Sequence, residues 1–347
     1  GHSQSSLPFQ QSGRMAWKWM YSCKEQLDNM SSRHPGLTGL QNLENTCYMN
    51  AVLQCLCSLT PLVQYFLSGR WNIDLALCFL SAIAFGCLMS DMWHGEFDYV
   101  SPEAFHSVFG KRHPVFSRRA QHDAQEFLIC VLDDLHQAFK EVRSHDAGAS
   151  TGRGNGKSII TKLFEGQLNY GIRCLRCKAL TDRPESFTVL SLPIPSTRLC
   201  SLQDCLECFF QPDTLTQNNQ IHCGWCQTSQ DATVKASIIQ APQIIIFHLK
   251  RYSLSGNRRK LSTTVCYPFR HLDLSPYTTP STKKTEYSLC AVVVSFAFPA
   301  FIGNALHHGA DEANVGLDFM YNDLYFNVWG FLCTFFYLPW TQCSNST

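Results

Sequence analysis

The chain has 347 residues, 45% of them apolar and 16% charged, enough for one large globular core or two modest ones. A formal net charge of +1 gives no electrostatic footprint for nucleic acid or an anionic membrane. Its 18 cysteines are scattered through a long chain with no signal-peptide pattern at the N-terminus. Free thiols and metal ligands in a reducing, intracellular compartment are therefore expected, not a disulfide scaffold.

The chain begins at Gly1 and not at methionine, as a fragment would. Residues 1–35, rich in Ser, Gln and Gly around a short patch at Trp17–Tyr21, read as a disordered extension. The stretch Gly39-Leu40-Gln41-Asn42-Leu43-Glu44-Asn45-Thr46-Cys47-Tyr48-Met49-Asn50 then runs from a polar loop into a helical pattern. Met49, Val52, Leu53 and Leu56 share one face of that helix. Asn45 and Thr46 are N-cap residue types, which places Cys47 in the first turn. There the open N–H groups and the positive end of the dipole favour a thiolate. Asn42, five residues earlier, could aim its amide N–H at an oxyanion forming near the sulfur. On helix and cysteine alone, a buried thiol opening a core helix is the simpler account.

Further along, Thr60-Pro61 reads as an N-cap followed by Pro at the first helical position, with Gly69 as the stop. Ser101-Pro102-Glu103 opens another short helix, closed by Gly110. In Gln121-His122-Asp123-Ala124-Gln125-Glu126-Phe127, Asp123 and Glu126 make a capping-box-like start. Leu128, Val131, Leu132, Leu135 and Phe139 continue it as an apolar stripe. Residues 141–158 are Gly/Ser/Arg-rich and aperiodic, hence a flexible loop. Gly156-Lys157-Ser158 is no phosphate loop, because the leading glycine would fall at Thr151 with no strand before it.

Cys174-Leu175-Arg176-Cys177 and Cys223-Gly224-Trp225-Cys226 are paired Cys-x-x-Cys knuckles, the ligand set of a tetrahedral structural zinc. Their wide separation leaves room for a sub-domain, including a strand-like Phe187–Leu192; four unliganded thiols are the alternative. Cys200, Cys205 and Cys208 lack this pairing and read as ordinary core or surface thiols. Ile244–Tyr252 reads as a buried central strand, with His248 a satisfied core histidine.

The string around Cys47 closely resembles the Cys box of the ubiquitin-specific proteases, departing at Glu44, where that family usually has glycine. Gln121–Phe127 resembles the family's glutamine segment, with His122 in place of its second Gln. Leu249-Lys250-Arg251-Tyr252, Tyr267-Pro268, Leu272-Asp273-Leu274 and Tyr287–Val293 resemble its palm strands. The resemblance covers roughly residues 36–293 and implies an α+β, papain-like fold. Its parts would be a helical thumb (36–145), a loop at 141–158, and zinc-bearing β fingers with a β palm (159–293). It also implies Cys47 as nucleophile, Asn42 as oxyanion donor, and Gln121, Asp123 and Glu126 beside the site, seating the tail of ubiquitin. A structural Zn2+ would sit on Cys174, Cys177, Cys223 and Cys226. The implied reaction is thiol-dependent hydrolysis of the (iso)peptide bond after ubiquitin's C-terminal glycine. Ubiquitin and ubiquitinated proteins would be the partners of a monomer in cytoplasm or nucleus, without nucleic acid or membrane.

The resemblance stops after Val293. The family carries its general base in a Gly-Gly-His-Tyr motif about a dozen residues on, followed by an orienting Asp or Asn. No Gly-His-Tyr occurs after Cys47 in this chain. His307 and His308, followed by Asp318 and Asp323, are the only histidines of the divergent segment 294–347. That segment is expected to leave the palm short of its last strands, with sheet edges unpaired. Val328–Tyr337, too short for a bilayer span, is expected to be exposed and sticky. General acid–base help is worth roughly a hundred- to ten-thousand-fold, and a lysine amine leaves poorly without an acid. The sequence thus leads to a deubiquitinase-family chain of very weak or no turnover, or to a non-catalytic ubiquitin-binding scaffold.

Overall fold

A computed structural model describes residues 36, 38–69, 79–93, 99–118, 120–140, 156–195, 198–251, 261, 263–280, 282, 285–295 and 332–339. The expected extension at 1–35, most of the 141–158 loop, Tyr252 and both tail histidines lie outside these residues. The chain divides into two compact units, residues 1–160 and 161–347. Among the described residues no single helix is long and apolar enough to cross a membrane.

The first unit is helical, with one short parallel ladder in which β1 (Gly39–Leu40) pairs with β2 (Tyr99–Val100). Its helices are α1 (Cys47–Cys57), α2 (Thr60–Leu67), α3 (Phe79–Trp93), α4 (Glu103–Arg112) and α5 (Ala124–Ala138). The stripe on α5 falls where its period puts it: Leu128, Val131, Leu132, Leu135 and Phe139 are all buried. Phe127 meets Tyr48, Phe109 and Phe116 edge-on, with ring centroids 5.1–5.6 Å apart, so α5 packs on α1 and α4 through aromatic rings. Two boundaries differ from expectation. Thr60 is the first residue of α2 and Leu59 its extended N-cap, while Gly69 does end the segment at φ 61°. Gly110 does not close α4, which runs on to Arg112. A Cβ at Gly110 would lie 2.8 Å from the Ser117 backbone, so this glycine serves a close approach and not a stop.

Helix α6 (Ile159–Phe164) runs across the boundary at residue 160 and is followed in the second unit by β3 (Gly166–Cys174), β4 (Leu180–Phe187) and β5 (Leu190–Pro193). The stretch read as one strand over 187–192 is therefore the end of β4, a bend, and the start of β5. Then come β6 (Leu199–Ser201), α7 (Leu202–Phe210), β7 (Asp213–Leu215), β8 (Ile221–Cys223), β9 (Thr228–Gln230) and β10 (Ala232–Gln240). The chain continues through β11 (Ile245–Lys250), β12 (Thr264–Cys266), β13 (Leu272–Asp273), β14 (Glu286–Ser295) and β15 (Leu332–Pro339). A four-stranded sheet has the order β4-β3-β10-β7, with the first cysteine knuckle at the end of β3, while the second joins β8 and β9 in a two-stranded sheet of their own. A five-stranded sheet has the order β13-β14-β15-β11-β5. Arg251, just past β11, is buried and donates to the Thr263 carbonyl at 2.6 Å, which gives the arginine a structural use, while Lys250 is exposed.

The expectation for the tail fails at β15. This strand is not an exposed segment, and the palm does not lack an inner strand. β15 runs antiparallel between β11 and β14, from Ile245↔Tyr337 to His248↔Thr334 on one side and from Tyr287↔Pro339 to Ser295↔Leu332 on the other. Thr334, Phe335, Phe336, Tyr337 and Leu338 are buried. The physical reason is twofold. Consecutive aromatic and apolar residues suit a strand covered on both faces. Without β15, the facing edges of β11 and β14 would expose a full row of unpaired backbone groups. His248 is half-buried and bonds through Nδ1 to Thr334 Oγ1 at 3.4 Å, as expected of a satisfied interior histidine.

Candidate functional site

Helix α1 starts at Cys47, and Thr46 occupies its N-cap position without capping it by side chain. The Thr46 hydroxyl turns back into the loop. It accepts the Leu43 N–H at 2.9 Å and donates to Asn42 Oδ1 at 3.1 Å. The Thr46 N–H donates to the same Asn42 oxygen at 3.3 Å. A backbone N–H can only donate, so the Asn42 amide must turn its oxygen to Thr46 and its NH2 the other way. Asn42 is exposed, Thr46 is fully buried, and the Cys47 thiol is half-buried.

The loop is closed by two consecutive left-handed residues, Glu44 (φ 64°) and Asn45 (φ 53°). Asn tolerates this region; Glu does so at a strain of roughly 1–2 kcal/mol, which a glycine would not carry. The departure at Glu44 thus keeps the left-handed turn, and Asn42 remains held. Asn50, buried on α1, donates from Nδ2 to the Gln41 carbonyl at 3.0 Å and lies 3.4 Å from that of Leu40. Gln54 donates to Thr38 O at 3.2 Å, and Gln41 N–H to Val100 O at 2.9 Å. The loop is therefore fixed from the helix on one side and from β2 on the other. Asn50 and Gln54 were not singled out in the sequence, and Thr46 only as an N-cap residue type. The available signal was an amide at position 50 inside an apolar stripe, since a buried amide must find partners.

Tyr48 brings the second motif to the first. Its ring packs edge-on against His122 at 5.4 Å and Phe127 at 5.6 Å, so the start of α5 lies beside the residue after Cys47. Burial, and after it the neighbouring Cys47, pushes the Tyr48 phenol far above its usual pKa, so it stays neutral and is no base. Asp123 is the N-cap of α5 and accepts the Gln125 N–H at 2.7 Å. Gln121 and Glu126 are exposed, and Asp123 is half-buried. Three other histidines are engaged elsewhere, His113 on buried Asp134, His136 on Ser158 and His271 on Glu286, whereas the buried Nε2 atoms of His106 and His122 have no hydrogen-bond partner among the described residues. His307 and His308, the tail candidates for a base, are among the residues not described.

In the second unit the four predicted cysteines converge, with all Sγ atoms within 4.8 Å of one another. Cys174–Cys226 and Cys177–Cys223 are 4.0 and 3.6 Å apart. A zinc with Zn–S bonds of about 2.3 Å needs S···S edges of about 3.8 Å, so the set fits. The two knuckles share one backbone design. The Lys178 N–H bonds to Cys174 O at 3.0 Å and the Gln227 N–H to Cys223 O at 2.8 Å. Each of these donor residues is left-handed, at φ 63° and 54°. The Cys226 N–H, with help from Trp225 N–H and the Cys177 and Cys174 thiols, holds Cys223 down at about 7. Burial and the neighbouring thiols push Cys226 up to about 12, the pattern of several sulfurs sharing few protons. These four could hold a metal with no position left for a substrate.

A thiol at a helix start, beside an asparagine amide held by its oxygen, can attack a carbonyl and stabilise the resulting oxyanion; set on an α+β fold, this is the ground plan of a cysteine hydrolase. The family is narrower than that class: residues 38–297 match the family model of ubiquitin carboxyl-terminal hydrolases, and the chain belongs to this family. It is 33% identical over 291 residues to ubiquitin carboxyl-terminal hydrolase 2 of Rattus norvegicus, covering 76% of this chain and 47% of that protein. It is 30% identical over 275 residues to ubiquitin carboxyl-terminal hydrolase Usp2 of Drosophila melanogaster, covering 74% and 29%. The chain thus spans about half or less of the length of these curated relatives. A solved SAGA Ubp8/Sgf11/Sus1/Sgf73 DUB module bound to ubiquitin aldehyde shares the fold, with a TM-score of 0.69 at 19% identity over 96% of this chain and 76% of that one. The fold is the α+β fold of the ubiquitin-specific proteases.

Proposed function

We propose that the chain binds ubiquitin and acts as a thiol-dependent hydrolase at its C-terminal glycine, with slow turnover. The observation that carries this reading is the Asn42 amide held outward beside Cys47 at the N-terminus of α1. Cys47 Sγ attacks the glycine carbonyl carbon, and the carbonyl oxygen becomes an oxyanion within reach of Asn42 Nδ2 and the first-turn N–H groups. Collapse breaks the C–N bond. The lysine amine leaves with the thiol proton, and water then releases ubiquitin from the thioester. Gln121, Asp123 and Glu126, at the start of α5, line the approach of the ubiquitin tail. Cys174, Cys177, Cys223 and Cys226 would hold a structural zinc, which braces the β3–β10 sheet and takes no part in the chemistry.

Turnover is slow because the Gly-His-Tyr motif is absent from the sequence, leaving His307 or His308 to shuttle the proton. Loss of a dedicated acid–base group lowers rate by about a hundred- to ten-thousand-fold. The names of the relatives and the ubiquitin-aldehyde complex of the structural neighbour support ubiquitin as the partner. A monomer in the cytoplasm or nucleus is the setting this reading implies.

The test is hydrolysis of a fluorogenic ubiquitin C-terminal amide by the full chain, beside Cys47→Ala and the double variant His307→Ala/His308→Ala. Slow release that disappears with Cys47→Ala is expected, and its loss in the double variant would place the base in the tail. Ubiquitin bound with no release from wild type would favour the non-catalytic scaffold. Release unchanged by Cys47→Ala would sink the hydrolase reading.

A further inference from the structure

We infer that Thr46 is the positioning residue of the oxyanion donor: it selects which end of the Asn42 amide is presented to the reacting carbonyl. This rests on the ubiquitin-hydrolase reading above.

An exposed asparagine has little preference about its last torsion, because the amide's two ends are nearly the same shape. Presented by its NH2, Asn42 stabilises an oxyanion; presented by its oxygen, it repels one. Two donors on Thr46 remove the second state. Thr46 N–H and Thr46 Oγ–H both point at Asn42 Oδ1, at 3.3 and 3.1 Å. A flipped amide would set its own N–H groups against them. The Thr46 N–H can only donate and so fixes which end of the amide faces it; the hydroxyl accepts the Leu43 N–H at 2.9 Å and adds its own proton to the same Asn42 oxygen. Thr46 is fully buried, so water cannot stand in for the hydroxyl. Because the hydroxyl faces the loop, it does not cap α1, and the first-turn N–H groups stay open to the same oxyanion. One buried side chain thus orders both donor sets.

The experiment compares binding of the full chain to ubiquitin C-terminal aldehyde and to ubiquitin with a free C-terminal carboxylate. The aldehyde adds Cys47 reversibly. One S–C bond forms, the thiol proton moves to the former aldehyde oxygen, and nothing leaves, so the equilibrium needs no general base. The ratio of the two affinities reads the environment of that oxygen. Thr46→Val keeps the shape and the backbone N–H but removes the hydroxyl. It is expected to lower aldehyde affinity about tenfold, with free-ubiquitin affinity held within about twofold. Thr46→Ser should restore the wild-type ratio. In an Asn42→Ala background, Thr46→Val should change the ratio no further, since it acts through Asn42.

A wild-type ratio in Thr46→Val, or an undiminished effect in the Asn42→Ala background, overturns the inference while ubiquitin binding stands. A chain that binds neither ubiquitin nor aldehyde overturns the functional reading, and the inference with it. If Thr46→Val fails to fold, hydrogen exchange decides: the Thr46 amide should exchange faster in folded Asn42→Ala, and an unchanged rate overturns the clamp.

Discussion

Asn50 shows at the scale of one residue how the loop before Cys47 is held. It is a buried amide on the apolar face of α1, and its Nδ2 donates to the Gln41 carbonyl at 3.0 Å. Asn50→Asp preserves size and shape but replaces that donor with a carboxylate oxygen facing carbonyl oxygens. The expected loss is about 1–3 kcal/mol of unfolding free energy, read from urea midpoints of the full chain. A midpoint equal to wild type would show that the loop does not depend on this bond. The same scale shows where the sequence was readable and where it was not. Cys47 at the first helical position followed from the polar-to-periodic switch and the residue types before it. Thr46 was read as a cap because Ser, Thr, Asn and Asp favour that position. Its hydroxyl instead bonds to the loop, and such local alternatives compete too closely for residue type alone to choose between them.

At the scale of elements, β15 carries the largest difference from expectation. Its composition already favoured a strand, but its partners β11 and β14 lie far away in sequence, and pairing is a non-local property. The absence of family motifs after Val293 said nothing about whether a later run could fill the gap in the sheet. What a strand needs there is an apolar face on each side and backbone groups to pair, and Leu332–Pro339 supplies both. Phe335 is fully buried and lies 4.6 Å, ring to ring, from Tyr267. Tyr337 is also fully buried and donates to Pro268 O at 2.9 Å. Phe335→Ala is expected to cost about 3–5 kcal/mol, measured by denaturant unfolding of the full chain. Deleting residues 332–347 should go further and abolish cooperative unfolding of the second unit, because β11 and β14 pair through β15 and not with each other. A truncated chain that unfolds like the intact one would return the tail to the status of an appendage.

For the molecule as a whole, the knuckles were the most readable long-range feature, since Cys-x-x-Cys spacing announces its chemistry wherever the partner pair lies in sequence. What spacing could not show is that β3 and β10 run side by side with Cys174 opposite Ala232, so that the sheet itself brings one pair close to the other. A metal bound there closes a loop of about fifty residues, which restricts the unfolded chain strongly. Binding also requires thiolates, so protons compete with the metal. The Cys226 and Trp225 N–H groups hold Cys223 down at about 7, and burial pushes Cys226 up to about 12. Without metal the two shifts oppose each other. The depressed Cys223 favours the fold above the ordinary thiol value, and this contribution fades as pH falls through about 7; the raised Cys226 favours it below that value, and its contribution fades as pH rises through about 12. With metal, all four must be deprotonated, and stability should fall steadily as pH drops from about 8 to about 6. The measurement is the urea midpoint of the full chain across that range, zinc-loaded and after chelation. A zinc-loaded curve that lies above the chelated one at high pH and converges on it toward low pH is expected. Cys177→Ser should remove the difference at every pH. Superimposable curves for the wild-type chain would mean that these four cysteines hold no structural metal, and that the β3–β10 sheet stands on its ladder hydrogen bonds and packing alone.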